Sequence, residues 1–219
     1  MSESDITSNF VQLLRKMGHD MRVPLNTLIS TTDMLMQGAY DPLTPKQEKA
    51  ATRLQRNSYR LLAMVDDFVT YIKADAGDLI VTSTPLDIPE KLALWSNPAK
   101  LVMEEKGVTF TIVASDTVKI ILGDETLLKR MIQALLWNAI SFTTQGSIDL
   151  MVDSGSDGKW IIRVKDTGSG IPSDDIPHIF EPFWRGEGRP QVPTAGAGLG
   201  LPLARALARV MKGDLSLQE

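Results

Sequence analysis

The length and composition of the chain restrict what it can be. With 219 residues, 43% hydrophobic and 23% charged, it has the makeup of an ordinary globular protein with room for two domains. The formal net charge of -4 excludes binding of nucleic acid or an anionic membrane by bulk charge, so any phosphate group must be bound locally. The absence of cysteine excludes disulfides and thiolate metal sites, and neither a signal peptide nor a run of 18 apolar residues is present. We therefore expect a cytoplasmic chain with no membrane segment.

The first third of the chain has the pattern of two long amphipathic helices. Apolar residues recur three or four positions apart at 10, 14, 17, 21, 28 and 35, and again at 54, 61, 65, 68 and 72. The turn-forming segment GAYDPLTP (38–45) separates the two stripes, and Gly77 ends the second helix. Because a lone antiparallel hairpin cannot cover both stripes, we expect two copies to pair as a four-helix bundle. Residues 1–77 are thus predicted to be a homodimerisation domain.

From residue 78 to residue 219 the pattern changes to mixed helix and strand. The sequence predicts helices over about 89–106, 124–142 and 199–212, and strands over 108–114, 118–122, 147–152, 159–165 and 214–218 (DLSLQ). Asp124 is a natural N-cap, and the turn residues between 152 and 159 predict a β-hairpin. This order predicts a second domain of the α+β class with a largely antiparallel sheet.

His19 is the first residue with candidate chemistry. When residues 14, 21, 28 and 35 are taken as position a of a heptad, His19 occupies position f, the outermost point of the first helix. It therefore faces water or a partner. A solvated surface histidine is the ordinary interpretation, but Asp20 lies beside it and Pro24 disturbs the helix one turn later. A neutral imidazole is a good nitrogen nucleophile near pH 7, and an adjacent carboxylate can orient it or take its proton. His19 and Asp20 are therefore candidate catalytic residues.

Two glycine-rich segments are candidates for binding a flat ligand and its phosphates. DTGSGI (166–171) follows a predicted strand and combines a carboxylate with backbone that can pass close to a ligand, although a simple turn is the ordinary interpretation. GAGLGL (196–201) opens the last helix, where backbone N–H groups can bind anions. It is neither a P-loop nor a Rossmann loop, so taken alone it is weak support for a phosphate site.

Two further segments carry candidate binding groups. Asn138, within LLWNAISFT (135–143), is either a satisfied core asparagine or an oxygen ligand for Mg²⁺. Residues 179–195 combine an aromatic cluster with a Gly/Pro-rich stretch containing Arg185 and Arg189. Long irregular segments of this kind are either disordered or lids, and because GAGLGL follows directly, we favour a lid.

Taken together, the motifs resemble those of the two-component sensor histidine kinases. HDMRVPLN (19–26) is similar to the phospho-acceptor box of that family, and LLWNAISFT, DTGSGI, FEPF (180–183) and GAGLGL resemble its N, G1, F and G2 boxes in the same order. The resemblance covers about residues 8–219. It implies a helical hairpin that forms a dimeric four-helix bundle, followed by an α/β-sandwich ATP-binding domain of the type shared with the gyrase, Hsp90 and MutL ATPases.

The resemblance also implies a role for each matching residue. His19 would attack the γ-phosphoryl group of ATP with Asp20 as acid/base partner, and the phosphoryl group would pass to an aspartate of a response-regulator receiver domain. Asn138 would hold Mg²⁺ and phosphate oxygens, and Asp166 would accept a hydrogen bond from the adenine amino group. The other implied nucleotide-binding residues are Gly168 and Gly170 at the adenine, Phe180 and Phe183 as lid anchors, and Gly196, Gly198 and Gly200 around the phosphates.

The sequence also departs from the family's pattern. Ala134 stands where the N box has its first asparagine and Ser141 where it has a lysine, so ATP binding is expected to be weaker or assisted by Arg185 or Arg189. Val23 stands where relatives with phosphatase activity have Thr or Asn to position a water, so we predict poor dephosphorylation of a partner. Relatives continue past KGDLSLQE with a strand that completes the sheet, so the second domain is expected to lack its last strand.

Three functions therefore stay open at the level of sequence. An active kinase is the leading hypothesis. A non-catalytic dimeric docking module with weak nucleotide binding is favoured by Ala134 and Ser141, whereas the intact His19 and Asp20 pair and the glycine segments argue against it. An ATP-dependent clamp would leave the exposed His19 without a role.

Overall fold

Two compact units make up the chain, Met1–Ala76 and Gly77–Glu219, and each is described by itself below. The computed structural model describes residues 3–115, 118–155, 159–186 and 197–218, with side chains from residue 11 onward. Within these ranges, no helix combines the length and apolar character needed to cross a membrane.

The first unit is an antiparallel helical hairpin. Helix α1 (Glu3–Met36) and helix α2 (Pro45–Asp75) are joined by a short turn, as the sequence predicts. The side chain of Thr44 accepts the N–H of Gln47, and Oε1 of Gln47 accepts the N–H of Thr44, which is a capping box that fixes the start of α2. Gly77 follows the end of α2 with a φ of +72°, a left-handed conformation that favours glycine and confirms it as the helix stop.

Small and β-branched residues form much of the face by which α1 and α2 pack together. The buried residues are Gly18, Ile29 and Thr32 in α1 and Ala51, Ser58, Val69, Ile72 and Ala74 in α2. The predicted apolar stripes lie largely beside this face, with Met17, Met21, Leu28, Leu54 and Leu61 still 49–58% exposed. The isolated hairpin thus leaves an apolar surface uncovered, as the spacing of these residues predicts.

The second unit contains three longer helices and five strands in its described residues. These elements are β1 (Thr84–Asp87), α3 (Ile88–Lys106), β2 (Thr109–Ala114), β3 (Ile120–Gly123), α4 (Glu125–Phe142), β4 (Ser147–Ser154), β5 (Trp160–Asp166) and α5 (Gly200–Val210). Strands β1 and β3 form an antiparallel pair, and the second sheet has the order β2-β4-β5. The predicted β4–β5 hairpin is confirmed. Strands β2 and β4 are parallel, however, because β3 and α4 form a crossover between them that returns the chain in the same direction.

The strands differ from the prediction in two places. Strand β1 is not among the predicted strands, and its Pro85 is tolerated because β1 belongs to a two-stranded sheet, in which each strand is an edge strand. The segment DLSLQ forms no strand over its described residues, and α5 ends at Val210. Asp214 is bound instead by the side chains of Arg205 and Arg209.

The core of the second unit lies between its helices and one face of the three-stranded sheet. Alternate residues of β4 (Ile148, Leu150 and Val152) are fully buried, as expected for a strand with one covered face. The fully buried helix residues include Leu92, Trp95, Leu128, Ile132, Leu136, Leu203 and Leu207. Asp124 caps α4 through the N–H groups of Thr126 and Leu127, as predicted. The unit is thus the expected α/β layer.

Candidate functional site

His19 projects from α1 into solvent. Its side chain is 75% exposed, and its Nδ1 lies 3.5 Å from Oδ1 of Asp20, which is also largely exposed. The outward position predicted for His19 is therefore confirmed. Because Asp20 lies on the Nδ1 side of the ring, Nε2 is the more open nitrogen, and it is the atom that a reacting group can approach.

The backbone around His19 is held closely against α2. An ideal Cβ built on Gly18 would overlap Cγ2 of Val69, so glycine permits an approach that a larger residue would block. One turn after His19, Nε of Arg22 donates to Oδ1 of Asp66 at 2.6 Å in a partly buried ion pair. These two contacts fix α1 on both sides of the exposed imidazole.

Two unusual residues follow His19 on α1. Helix α1 continues through Pro24, which has no N–H to donate to the carbonyl of Asp20. Val23, four residues after His19 and on the same side of the helix, is 60% exposed, and its carbonyl accepts a hydrogen bond from Oγ1 of Thr27. The apolar side chain of Val23, which lies one turn from the imidazole, can neither donate nor accept a hydrogen bond.

Asn138 is a half-buried amide in the last turns of α4. Ala134, one turn earlier, offers no ligand atom, and Oγ of Ser141 donates to the carbonyl of Trp137 at 2.8 Å. Among positions 134, 138 and 141 of α4, Asn138 is therefore the one that carries an amide side chain. Described residues hold no cluster of three His, Asp or Glu side chains that could bind a metal by itself.

The DTGSGI segment lies against the C-terminal end of α4. Oδ1 of Asp166 accepts the N–H of Gly168 at 2.9 Å, and the N–H of Ser169 is bonded to the carbonyl of Phe142. A Cβ on Gly168 would lie 2.5 Å from that carbonyl oxygen, so only glycine fits this contact. Gly170 has a φ of +68°, and a Cβ there would meet no atom within 4 Å. The packing therefore brings Asp166 and Gly168 to the helix that carries Asn138.

The FEPF segment is bonded to the GAGLGL segment through main-chain atoms. The N–H of Phe183 donates to the carbonyl of Gly198 at 3.0 Å, and a Cβ on Gly198 would lie 2.7 Å from the carbonyl oxygen of Trp184. Gly200 begins α5, and a Cβ there would lie 3.7 Å from the carbonyl oxygen of Ala134. Gly198 and Gly200 thus connect the FEPF segment with α4. The predicted residues Gly196 and Arg189 lie outside the described residues, and Arg185 is exposed.

Two side-chain contacts hold the FEPF segment in addition to the backbone. The guanidinium carbon of Arg205 lies 4.6 Å from the centre of the Phe180 ring, a cation–π geometry. The ring of His178 stacks 4.6 Å from that of Trp184, and its Nδ1 lies 2.8 Å from Oε1 of Glu181. His178 therefore has a structural role within this segment.

Sequence reasoning missed the partners of Arg205. Both Arg205 and Arg209 contact Asp214, and hydrogen bonds from Arg205 and from the backbone of Leu215 lower the pKa of Asp214 from 3.8 to about 2. The sequence does signal this cluster, since two arginines one turn apart precede an aspartate, but it gives no sign that Phe180 joins it. Thr143 was also missed: its fully buried hydroxyl has no hydrogen-bond partner among the described residues.

Comparison with known proteins connects these sites to established families. Residues 11–77 match the family model described as His Kinase A (phospho-acceptor) domain. Residues 123–219 match the model described as histidine kinase-, DNA gyrase B- and HSP90-like ATPase. The two models follow one another along the chain, and together they include His19 and all of the predicted nucleotide-binding residues. The chain therefore carries, in the same order, the two domains that its motifs predict for a histidine kinase.

Similar curated proteins include the signal transduction histidine-protein kinase BarA of Escherichia coli strain K12 and the autoinducer 2 sensor kinase/phosphatase LuxQ of Vibrio cholerae. BarA is 31% identical over 210 residues, which are 94% of this chain and 22% of BarA. LuxQ is 28% identical over 208 residues, which are 93% of this chain and 24% of LuxQ. The chain thus spans about a quarter or less of the length of these relatives.

Two solved structures resemble most of this chain. Full-length ShkA in complex with AMPPNP is 28% identical, with a TM-score of 0.76, and the match covers 92% of this chain and 41% of ShkA. The histidine kinase AdeS of Acinetobacter baumannii has a TM-score of 0.61 over 88% of this chain and 86% of its own. At 19% identity the AdeS match supports the fold alone.

Proposed function

We propose that this chain autophosphorylates His19 from ATP and transfers the phosphoryl group to an aspartate of a response-regulator receiver domain. The observation that carries the proposal is the exposed His19 beside Asp20, in a chain whose other unit packs two glycine-rich segments around α4. A non-catalytic docking module would need neither feature. The curated relatives are much longer than the matched region, so the similarity does not extend to their full length. The receiver domain as partner is therefore part of what we propose.

In the proposed first step, the lone pair of Nε2 attacks the γ-phosphorus of ATP. A P–N bond forms, the bond from phosphorus to the bridging oxygen breaks, and ADP leaves. Asp20, on the Nδ1 side of the ring, stabilises the positive charge that develops on the imidazole and accepts the Nδ1 proton. In the second step a carboxylate oxygen of the receiver attacks the phosphorus and the P–N bond breaks. An acyl phosphate results, and the imidazole recovers its proton.

We propose that the nucleotide binds along the C-terminal half of α4. Asp166 would accept a hydrogen bond from the adenine amino group, and its orientation is supported by the bond from the Gly168 N–H. Gly170 has open space beside it where the adenine would pass. Gly198 and Gly200, together with Gly196, would surround the phosphates, and Phe180 and Phe183 would anchor the lid that carries Arg185. The related ShkA forms a complex with AMPPNP, which supports ATP as the proposed ligand.

Mg²⁺ fits this donor set only when ATP supplies most of the ligands. Mg²⁺ is usually held by one or two protein oxygens together with substrate phosphates and water. The amide oxygen of Asn138 is the proposed protein ligand, because Ala134 has no donor atom and the Ser141 hydroxyl is bonded to the helix backbone. The ion would neutralise charge on the transferring phosphoryl group. We propose that the exposed Arg185 assists the ion in neutralising the phosphate charge.

We further propose that two copies pair through the hairpin. The half-exposed apolar residues of both helices, among them Met17, Met21, Leu28 and Leu54, would pack against the same residues of a second copy. Burial of these side chains supplies the hydrophobic free energy that the isolated hairpin lacks. The two copies would form the four-helix bundle predicted from the sequence.

One labelling experiment tests the activity. The chain is incubated with Mg-ATP carrying a labelled γ-phosphate, and we expect label that is lost in acid and stable in base. His19→Gln should abolish the label, while His178→Gln, which changes the other histidine, should retain it. Absence of label from the unmodified chain, or retention in His19→Gln, would refute the kinase proposal.

A further inference from the structure

One buried hydroxyl stands apart at the C-terminal end of α4. Thr143 is the C-cap residue of the helix and is fully buried, and its Oγ1 has no hydrogen-bond partner in the part of the chain that the structure describes. Two other buried hydroxyls differ from it, because Oγ1 of Thr32 donates to carbonyls of α1 and Oγ of Ser96 donates to the carbonyl of Leu92. The Thr143 hydroxyl therefore needs a separate explanation.

An unpaired hydroxyl at this position destabilises the folded chain. Burial without a partner costs free energy, because the group gives up its hydrogen bonds to water and gains none in return. Valine has nearly the same shape as threonine and would fill the position with a methyl group instead. Buried polar groups of native proteins almost all bond a protein group or an enclosed water. Threonine at position 143 thus indicates a partner other than the described protein groups.

The chain on both sides of Thr143 is bonded to the DTGSGI segment. Before Thr143, the carbonyl of Phe142 accepts the N–H of Ser169. After it, the carbonyl of Ser147 accepts the N–H of Thr167, and the N–H of Ser147 donates to Oγ1 of Thr167. Thr143 therefore lies in a short connection whose two ends are both held against DTGSGI.

The strand register puts the Asp166 side chain on the covered face of the sheet. Asp166 of β5 is paired with Ile148 of β4, and directly opposed residues share one face. Ile148 is fully buried in the layer between the sheet and the helices. Asp166 ends β5 and is itself exposed, so its carboxylate stands at the rim of that layer. Its Oδ1 accepts the N–H of Gly168, and a carboxylate has lone pairs for further donors.

We propose that Thr143 is a positioning residue of the adenine site, and that its hydroxyl bonds an enclosed water which in turn donates to the carboxylate of Asp166. The inference rests on the proposed function and deepens it. Enclosed waters bridge buried polar groups that have no direct partner. Held in this way, the carboxylate keeps the orientation in which it would accept the adenine amino group. Less ordering is then needed when ATP binds, which favours tighter binding.

Two substitutions at position 143 separate positioning from packing. Thr143→Val keeps the shape and removes the hydroxyl, so the Kd for ATP, measured by calorimetric titration, should rise about fivefold without a fall in Tm. Thr143→Ser keeps the hydroxyl and removes a buried methyl group, so the Tm should fall and the Kd should stay the same. Thr32→Val, which removes a buried hydroxyl from the hairpin, is the matched control and should leave the Kd unchanged. A merely structural role of Thr143 would not give this opposite pattern.

Inosine triphosphate tests the link between Thr143 and Asp166. It has a carbonyl oxygen where adenine has its amino group, so its Kd should be the same in the unmodified chain and in Thr143→Val. An unchanged Kd for ATP in Thr143→Val would overturn the inference, as would an equal rise in Thr143→Ser or an equal rise for inosine triphosphate. Because binding is measured without phosphoryl transfer, a failure of autophosphorylation leaves the result readable. Failure of the unmodified chain to bind ATP would overturn the nucleotide site and this inference together.

Discussion

The main-chain N–H of Phe183 donates a hydrogen bond to the carbonyl of Gly198 across a sequence separation of 15 residues. Phe183 itself has a φ of +66°, a strained conformation for a residue with a side chain. The bond therefore ties the aromatic segment to the loop before α5 at the expense of local strain. Strain of this kind persists where the surrounding structure holds it, and it is concentrated at functional sites.

Gly198→Ala is expected to damage nucleotide binding. The substitution forces a non-glycine residue to a φ of +75° and brings Cβ within 2.7 Å of the Trp184 carbonyl oxygen. One of the two backbones must move, which breaks the bond to Phe183. We expect the Kd for ATP to rise at least about tenfold, measured by calorimetric titration.

Gly107→Ala is the matched control for that experiment. Gly107 has a φ of +70°, but a Cβ there would meet nothing within 4 Å, so it tests left-handed strain without a clash. We expect reduced stability and an unchanged Kd for ATP. An equal loss of ATP binding in both variants would show that general destabilisation, not the contact with Trp184, causes the effect.

Arg205→Met is expected to weaken ATP binding through Phe180. The methionine keeps the apolar bulk but removes the cation above the ring, so the FEPF segment loses one of its anchors. We expect the Kd for ATP to rise about threefold. Arg209→Met is the control, because Arg209 contacts the same Asp214 and has no aromatic contact among the residues that the structure describes. Similar effects of the two substitutions would assign the role to Asp214 rather than to Phe180.

The pairing of Asp214 predicts a particular pH dependence of stability. Its pKa is lowered from 3.8 to about 2, so its stabilising contribution is present above pH 3.8 and is lost as the pH falls toward 2. Asp214→Asn should therefore reduce the free energy of unfolding at pH 6, and the difference from the unmodified chain should shrink as the pH falls below 3.8. Urea denaturation between pH 6 and pH 2.5 measures this. A difference that is constant over that range would contradict the prediction.

The sequence predicted elements better than it predicted contacts. Periodicity located both helices of the hairpin, because 31 to 34 residues of repeated pattern outweigh local exceptions. It did not predict which residues pack inside the hairpin, since the buried Gly18 and Ser58 are small or polar and carry no hydrophobic signal. The direction of β2 relative to β4 was also missed, because pairing depends on the path of the intervening chain. Asn138 and Gly168 were found as motifs, but only the fold brings their segments together.

Gly18→Ala is expected to loosen the hairpin beside His19. The new methyl group would overlap Cγ2 of Val69, and overpacking of this kind costs about 1–3 kcal/mol. We expect a lower free energy of unfolding and slower autophosphorylation, because α1 must shift where it presents the imidazole. The double variant Gly18→Ala/Val69→Ala returns the space and should recover most of both. If the second substitution only adds to the loss, close packing at this point is not the cause.

Val23→Thr is expected to create phosphatase activity toward the phosphorylated receiver. Val23 is exposed one turn after His19, and its side chain has no atom that can hold a water for attack on an acyl phosphate. Threonine has nearly the same shape and adds one hydroxyl, so the change should leave autophosphorylation unaltered and accelerate loss of label from the receiver about tenfold or more. Val23→Ile, which keeps the position apolar, is the control and should leave that rate unchanged. Rapid dephosphorylation by the unmodified chain would contradict the prediction, because the water would then be held by a group other than residue 23.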